Sequence, residues 1–162
     1  SSLFDAFDDK LAGHDAEKLV TIGDAYLATV APSTSKTDEC ELDMACKLVH
    51  LARDFVAIAR TAGLQIRVGI ATGRLATGFI GSSELPSYRA WGGAYDHAQA
   101  LESQSRANMV AIDSDLADLL RSKPDFRFPL SPCRDDSGDC VPGVHLVDMS
   151  ESRVEAVDDF AE

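Results

Sequence analysis

Residues 17–30, EKLVTIGDAYLATV, constrain the fold of this chain more than any other stretch. An apolar strand runs into the dipeptide Gly23-Asp24, and a second apolar strand leaves it. This pattern predicts a tight hairpin, because glycine tolerates the unusual backbone conformation of such turns. The turn would hold the carboxylate of Asp24 on rigid backbone, and carboxylate oxygens are natural ligands for a hard cation such as Mg²⁺. Taken alone, the same dipeptide favours a simple turn without a ligand role.

The chain of 162 residues carries a net charge of −12, and its isoelectric point is near 4.6. Its length suits one domain with a real core, and its content of 45% apolar and 26% charged residues is ordinary for a globular protein. Nucleic acids and anionic membranes select basic faces, so the acidity argues against both as partners. An anionic substrate such as a nucleotide would need a metal ion or a local cationic pocket.

No apolar run approaches the roughly 20 residues of a transmembrane helix, and no signal peptide is visible. The chain begins inside a predicted helix, at SSLFDAFDD, which suggests an excerpt from a longer protein. Cys40, Cys46, Cys133 and Cys140 are too few and too loosely spaced for a disulfide scaffold. We interpret them as reduced thiols, and a closed loop or metal site at Cys133 and Cys140 is the weaker alternative.

Hydrophobic periodicity predicts four helices and several strands that alternate along the chain. The predicted helices cover 2–12, 38–62, 93–105 and 113–121, and the predicted strands cover 17–22, 25–31, 65–70, 108–112, 126–128 and 144–147, with a short hairpin at 85–91 and loops at 31–35 and 71–81. This order favours an α+β sandwich with a mixed sheet. Residues 1–149 are expected to form one domain, and the acidic residues 150–162 a tail or linker.

Three motifs, in this order, resemble one family, the class III nucleotide cyclase domain of adenylyl and guanylyl cyclases. TIGDAY at 21–26 resembles the signature hairpin of that family, and IRVGIATGRLATGFIG at 66–81 resembles its central strand and following loop. YRAWGGAYDHAQALES at 88–103 is similar to a tyrosine-x-x-tryptophan-glycine segment that runs into a helix ending in leucine-glutamate-serine. Together with the first helix, the resemblance covers about residues 3–122.

The resemblance implies a ferredoxin-like α/β sandwich with a mixed, mostly antiparallel sheet. It also implies that two such domains pair head to tail, as a homodimer or a heterodimer, with active sites at their interface. The implied reaction is attack of the ribose 3′-hydroxyl of ATP or GTP on the α-phosphate, which releases pyrophosphate. Two Mg²⁺ or Mn²⁺ ions held by two aspartates would activate the nucleophile and neutralise the triphosphate.

By this resemblance, Asp24 takes the place of the second metal aspartate of the family. The first metal aspartate belongs to a strand that would lie before Ser1, so we expect only one protein ligand of the two-ion site in this chain. Arg74 stands where the metal-bearing half of heterodimeric adenylyl cyclases has an arginine on the triphosphate, and Gly23 is interpreted as a second substrate contact. A guanidinium beside a glycine-rich loop suits a phosphate. A solvated loop arginine is the equal alternative.

Four positions that the resemblance assigns to the other half of the site are substituted. The lysine before the signature threonine is Val20, and the aspartate after the tyrosine of the tryptophan motif is Arg89, so both base-reading positions differ. The asparagine that orients the ribose is Asp96, and the arginine that stabilises the transition state is Ala100. A lost preorganised cation typically raises the barrier by several kcal/mol. We therefore expect no catalytic residue on this chain and little turnover by the chain alone.

Three interpretations of this pattern stay open. The chain is the metal-bearing half of a heterodimeric cyclase, or it is a catalytically inactive pseudocyclase that acts as a regulatory dimerisation partner. The third and weakest is an interaction module of the same shape that binds neither metal nor nucleotide. In each case a cytoplasmic location is expected from the reduced cysteines and the nucleotide supply, with any membrane attachment through segments outside this chain.

Overall fold

The computed structural model describes residues 2–30, 38–82 and 84–149. Its helices are α1 (Leu3–Leu11), α2 (Asp38–Thr61), α3 (Gly93–Gln104) and α4 (Ser114–Arg121), and its strands are β1 (Ala16–Ile22), β2 (Ala25–Val30), β3 (Val68–Gly69), β4 (Ala76–Ser82), β5 (Leu85–Trp91), β6 (Met109–Asp113), β7 (Leu130–Arg134) and β8 (Cys140–Asp148). The predicted loop 31–35 and tail 150–162 lie outside the described residues, and the domain boundary at 149 stays a prediction. Among the described helices, none has the length and apolar character needed to cross a membrane.

The central layer is a four-stranded sheet with the order β3-β6-β8-β7. β3 runs parallel to β6, whereas the β6–β8 and β8–β7 pairs are antiparallel. β3 is shorter than the strand predicted over 65–70, but backbone hydrogen bonds extend its contact with β6: the amide of Asn108 donates to the carbonyl of Ile66, and the amide of Ile70 to that of Ala111. The expected α+β fold with a mixed, mostly antiparallel sheet is confirmed.

Helices cover both faces of this sheet. On one face, α2 and α4 pack against Val110, Ile112 and Val147. On the opposite face, α3 packs through Leu101 in a cluster that includes Ala111. Val110 and Ile112 therefore point away from Ala111, as the two-residue period of a strand requires. All five side chains are buried, so this sandwich is the main core of the described chain.

A second packed unit forms where α1 and the β1–β2 hairpin lie on α2. Phe7 of α1 stacks on Phe55 of α2 with ring centroids 4.1 Å apart, and Tyr26 of β2 meets both rings edge-on at 5.4 Å. Aromatic pairs in these geometries stabilise a fold beyond the area that they bury. Among the described strands, β1 and β2 pair only with each other. This aromatic cluster of Phe7, Tyr26 and Phe55 therefore fixes the hairpin to the helical layer.

The four helices begin and end within one residue of the predicted bounds. The first helix begins with a capping box, in which Ser2 and Asp5 each accept a hydrogen bond from the backbone of the other residue. The carboxylate of Asp113 caps α4, because it accepts a hydrogen bond of 2.8 Å from the amide of Leu116. The hairpin predicted at 17–22 and 25–31 is also confirmed, as β1 and β2.

The prediction of a strand at 126–128, as the first arm of a hairpin with the strand at 144–147, is wrong. That arm is β7, which pairs with β8. The alternation of Phe126 and Phe128 around Arg127 arises because both rings pack against the main core from a connecting segment. The true arm contains Pro132, which cannot donate to a ladder and weakens the strand signal. It is tolerated there because β7 lies at the edge of the sheet.

The glycine-rich segment 71–81 is only partly a loop, because its second half is strand β4. β4 pairs along its whole length with β5 in an antiparallel hairpin. Glycine usually weakens a strand, but Gly78 has a packing role: a Cβ built there would lie 3.2 Å from the ring of Trp91. The absence of a side chain at Gly78 leaves room for the indole of Trp91 on the partner strand. Local sequence does not reveal this contact between the two strands.

The parallel strand β3 lies unusually close to α3. A Cβ added to Gly69 would overlap the carbonyl oxygen of Ala98 and the amide nitrogen of Glu102, which are both backbone atoms of that helix. Backbone cannot swing aside as a flexible side chain can, so only glycine lets the strand and the helix approach this closely. The approach sets the distance between the central sheet and α3.

We expect Gly69→Ala to lower the free energy of unfolding by about 2 kcal/mol or more, because the methyl group forces α3 off the sheet. Gly13→Ala is the matched control, since a Cβ there would meet no atom within 4 Å. Its effect should stay within about 0.5 kcal/mol. Urea unfolding followed by circular dichroism measures both variants. Equal stability of the two would contradict the close packing.

Candidate functional site

The turn between β1 and β2 holds Gly23 and Asp24. Ile22 pairs with Ala25 across the turn, so these two residues form a two-residue loop. Gly23 has a φ of +60°, whereas Asp24 is not in the left-handed region. A positive φ at the first loop position alone is typical of a type II′ turn, which requires glycine there. The carboxylate of Asp24 is consequently carried at the tip of a defined, narrow turn, as predicted.

The Asp24 side chain is exposed and makes no hydrogen bond or ion pair with any described residue. The described residues also contain no group of three or more His, Cys, Asp or Glu side chains close enough to hold a metal ion. The carboxylate therefore offers one free oxygen ligand. Mg²⁺ is commonly bound by one or two carboxylates together with water and substrate phosphates. The unpaired carboxylate of Asp24 therefore matches one protein ligand of such an ion, and the remaining ligands have to come from elsewhere.

The hairpin that carries Asp24 is tied to α1 by one carboxylate. The hydroxyl of Tyr26 donates to Asp8 Oδ1 at 2.5 Å, and Lys18 Nζ donates to Asp8 Oδ2 at 2.9 Å. The Lys18 ammonium also lies over the Tyr26 ring, 5.1 Å from its centroid. We call these three residues the Asp8 cluster. Asp8 thus contacts both strands of the hairpin at once, through one donor from each.

Contacts within the Asp8 cluster shift the pKa values of Asp8 and Tyr26. The pKa of Asp8 lies below its ordinary value, first because Tyr26 donates a hydrogen bond to the carboxylate and then because Lys18 does. The pKa of Tyr26 lies well above its ordinary value, because the phenol is partly buried and because its hydroxyl is bound to Asp8. Near neutral pH Asp8 is therefore an ionised carboxylate and Tyr26 a neutral phenol.

A β-bulge in β1 places Lys18 in this cluster. Thr21 pairs with Tyr26, and the register shifts between Lys18 and Val20, so that Leu19 is the extra residue. Without the bulge, strict alternation would put Lys18 on the face away from Tyr26. With the bulge, Lys18 shares the face of Tyr26 and reaches Asp8. The bulge therefore allows β1 to contribute a hydrogen-bond donor to Asp8.

Arg74 lies in the loop before β4, where that loop contacts the first turn of α3. Its backbone carbonyl accepts a hydrogen bond of 3.2 Å from the amide of Ala94 in the first turn of that helix. A Cβ added to the neighbouring Gly92 would lie 2.7 Å from the same carbonyl, so the backbones are packed closely here. The guanidinium is exposed and has no partner among the described residues. No hydrogen bond or ion pair joins it to Asp24.

Three of the four substituted positions are exposed, and the fourth is half-buried. Asp96 and Ala100 are one turn apart on α3 and are both exposed, so they share a helix face that carries a carboxylate and a methyl group. Arg89 is exposed on β5 opposite Gly78, and Val20 is half-buried opposite Leu27. The described part of the chain therefore presents no cation at the position of Ala100.

The alternative metal site at the cysteines is not formed. Cys46, Cys133 and Cys140 are all free thiols. Cys133 is buried, and its Sγ lies 3.5 Å from the carbonyl oxygen of Gln104, whereas Cys140 is exposed. The side chain of Cys40 lies outside the described residues. The loop between β7 and β8 is closed by Asp135, whose carboxylate accepts hydrogen bonds from the amides of Ser137 and Asp139.

Sequence reasoning missed two features of this region. The first is Asp8, an exposed carboxylate of α1 whose contacts to Lys18 and Tyr26 leave no signal in the local sequence. The second is the pairing of β4 with β5 in a hairpin, hereafter the aromatic arm, where Phe79 is 74% exposed, Ile80 56% and Trp91 44%. The short hairpin predicted at 85–91 is wrong, because these residues form the single strand β5. Phe79 and Tyr88 lie directly opposite each other with ring centroids 5.2 Å apart. Exposed apolar side chains concentrated on one hairpin mark an interaction surface.

Comparison with known proteins identifies the family. The sequence pattern of the adenylate and guanylate cyclase catalytic domain matches residues 1–135. The chain is 31% identical over 131 residues to a germination-specific adenylate cyclase of Dictyostelium discoideum, covering 78% of this chain and 15% of that protein. It is 29% identical over 126 residues to a membrane guanylyl cyclase of the same organism, covering 76% of this chain and 8% of that protein. The chain thus spans a small part of the length of these relatives.

The fold agrees with the sequence comparison. The guanylate cyclase domain of RhGC from Catenaria anguillulae, solved in complex with GTP, superposes with a TM-score of 0.68 at 26% identity, covering 90% of this chain and 79% of that one. On the strength of the family match and of this shared fold, the chain belongs to the adenylate and guanylate cyclase catalytic domain family.

Proposed function

We propose that this chain supplies the metal and triphosphate contacts of a composite cyclase site, formed with a second cyclase domain. That site converts ATP or GTP to the 3′,5′-cyclic nucleotide and pyrophosphate. The observation that carries the proposal is the exposed carboxylate of Asp24, which is held at the tip of a tight turn and has no partner among the described residues. An uncompensated acid on rigid backbone is suited to bind a cation.

Asp24 would hold Mg²⁺ or Mn²⁺ as the one protein ligand that this chain contributes. When bound, such ions supply Lewis-acid activation of the attacking hydroxyl and charge neutralisation at the phosphates. Arg74 presents five N–H donors, and its exposed guanidinium is free to donate hydrogen bonds to phosphate oxygens. Gly23 has no side chain to obstruct a phosphate beside the turn. Together these residues bind and orient the triphosphate.

The second domain has to supply what this chain lacks. A developing negative charge in the transition state calls for a preorganised cation. Ala100 cannot provide one, and the carboxylate of Asp96 one turn away would oppose the charge of the triphosphate. Neither Val20 nor Arg89 reproduces the lysine and aspartate that read the base in the family pattern. A complementary cyclase domain is therefore the partner that completes one site.

The aromatic arm supports a protein partner of this kind. Its exposed side chains lie on both faces of the hairpin, with Phe79 and Tyr88 on one face and Ile80 and Trp91 on the other. Large aromatic side chains are enriched at the energetic centres of protein interfaces. Such an arm could be covered on both faces only by a partner that encloses it. The nucleotide supply places this assembly in the cytosol, with any membrane anchor outside this chain.

We expect Phe79→Ser to weaken association with the second cyclase domain by about 10-fold or more, because it removes the most exposed large apolar side chain of the arm. Thr77→Ser, on the same strand and face, is the matched control and should leave the dissociation constant unchanged. Sedimentation of the full-length protein mixed with a complementary cyclase domain measures both constants. An unaltered dissociation constant for Phe79→Ser would show that the arm is not part of the interface.

The central test is the turnover of Asp24→Ala. In the full-length protein, mixed with a complementary cyclase domain and Mn²⁺, this variant should lower cyclic nucleotide formation by about 100-fold or more. Asp9→Ala is the matched control, since Asp9 is an exposed carboxylate on α1 with no partner among the described residues. It should retain wild-type turnover. If Asp24→Ala turns over at the wild-type rate, the metal assignment is wrong.

The pseudocyclase is the second candidate function, and the surface of α3 favours it. A domain that only dimerises and regulates has no need of a cation at Ala100 or of an uncharged side chain at Asp96. In this candidate, Asp24 and Arg74 are remnants of an ancestral site, and the exposed aromatic arm alone carries the function. The two candidates differ in whether the turn binds a nucleotide-bound metal ion.

Calorimetry separates these two candidates. Titration of the assembled full-length protein with a non-hydrolysable ATP analogue and Mn²⁺ should give saturable heat if the composite site is formed, because metal and triphosphate bind together. Omission of Mn²⁺ should abolish most of that heat. A pseudocyclase without a functional site would give only the heat of dilution, although its dimerisation would be intact in sedimentation.

A further inference from the structure

The hairpin that carries Asp24 depends on outside contacts for its position. Among the described strands, β1 and β2 form an isolated two-stranded ribbon. Isolated two-stranded hairpins are marginally stable in water and have no neighbouring strand to fix their orientation. Because Asp24 lies in the turn between the two strands, the direction of its carboxylate follows any tilt of the ribbon. Whatever ties the ribbon to the helices also sets where Asp24 points.

The Asp8 cluster is the polar contact best placed to do this. Asp8 accepts one hydrogen bond from β1, through Lys18, and one from β2, through Tyr26. A single carboxylate therefore holds both strands against α1 and restrains tilt as well as separation. Tyr26 is two residues after Asp24, so the restraint acts next to the turn. Lys18 reaches the same carboxylate only because of the bulge at Leu19.

The helix that provides Asp8 is itself fixed to the core. Phe7, the residue before Asp8, stacks on Phe55 of α2, and Phe7 is buried. The ring of Tyr26 packs against both of these aromatic rings. The apolar contacts locate the Tyr26 ring, and the hydroxyl bond to Asp8 fixes the direction of its far end. A continuous chain of contacts thus runs from α2 through Phe7, Asp8 and Tyr26 to the turn.

We propose that Asp8, with Tyr26 and Lys18, is a positioning cluster that holds the Asp24 carboxylate in the orientation needed to bind a nucleotide-bound divalent cation. The proposal rests on the function proposed above, because it takes Asp24 to be a metal ligand. The cluster touches neither substrate nor metal and acts only through the hairpin. Groups that orient a metal ligand commonly change metal affinity by about 10- to 100-fold when they are removed.

A purely stabilising role predicts a different pattern of effects. The side chains of Lys18 and Asp8 are 35% and 42% exposed. Ion pairs as exposed as this contribute little to folding. If the cluster served stability alone, its removal would lower the melting temperature slightly and leave the metal affinity unchanged. If it positions Asp24, its removal weakens metal binding while the fold is kept.

The test is a Mn²⁺ titration of full-length protein labelled with ¹⁵N-glycine, in the presence of a non-hydrolysable ATP analogue. Paramagnetic broadening of the Gly23 amide reports metal next to Asp24, and the Gly138 amide in the β7–β8 turn is the internal reference. Tyr26→Phe and Asp8→Asn should each raise the Mn²⁺ concentration for half-maximal broadening of Gly23 by about 10-fold. Asp9→Asn, the same chemical change one residue further along α1, should leave it at the wild-type value.

Lys18 provides a check that does not depend on one variant folding well. Lys18→Met should raise the Mn²⁺ midpoint, and Lys18→Arg, which keeps the cation, should restore it. Wild-type midpoints for Tyr26→Phe, Asp8→Asn and Lys18→Met, together with loss of broadening in Asp24→Ala, would overturn the positioning role alone. Undiminished broadening at Gly23 in Asp24→Ala would overturn the metal assignment, and the positioning role with it. Melting temperatures recorded on the same samples identify any variant whose fold is lost.

Discussion

Helix α2 has to bury two sides at once, and the rest of the described chain is arranged around that constraint. Val49 and Val56 face the central sheet, whereas Leu51 and Phe55 face α1 and the β1–β2 hairpin. Consecutive residues are about 100° apart around a helix, so neighbours such as Phe55 and Val56 serve different cores. The helix thereby joins the sheet and the hairpin into one body. Without it, the turn at Gly23 and Asp24 would have no fixed relation to α3.

Local physics made much of this fold predictable. Helix bounds follow from apolar spacing together with capping residues, and those signals lie within a few positions of one another, as at Asp113 and α4. The hairpin at Gly23-Asp24 was equally readable, because the turn needs glycine at one position and apolar strands on both sides. The family motifs occur in these same segments. Sequence therefore predicted the α+β class, the helices and the acidic turn correctly.

The errors and omissions concern contacts between distant segments. β4 was predicted as loop because its glycines weaken a strand, yet Gly78 is small so that Trp91 can lie over it. The alternation of Phe126 and Phe128 was read as a strand because packing against a core can produce the same period of two. Asp8 was overlooked because its role depends on Lys18 and Tyr26, which the fold brings together across two elements. Such relations exist only in three dimensions.

The candidate site was predictable only in part for a further reason, which is electrostatic. The chain is strongly acidic, with a net charge of −12, and both Asp24 and Asp96 are exposed carboxylates. A nucleoside triphosphate brings several more negative charges. Against these, Arg74 is the one cation that the site assignment gives to this chain, and bound metal ions would offset only part of the remaining repulsion. Binding of the triphosphate therefore calls for positive charge from elsewhere.

A second copy of this chain is poorly suited to supply that charge. Each copy would bring the same Ala100 and Asp96 surface, and pairing two copies would double the net negative charge near the substrate. A cyclase domain that retains lysine and arginine at the corresponding positions would instead place cations opposite the exposed carboxylates of this one. The same charges would then favour association of unlike domains over self-association, because complementary potentials steer encounter and suppress the wrong partner. On this argument, the acidity that weakens a homodimeric site also selects a cationic partner for the composite one.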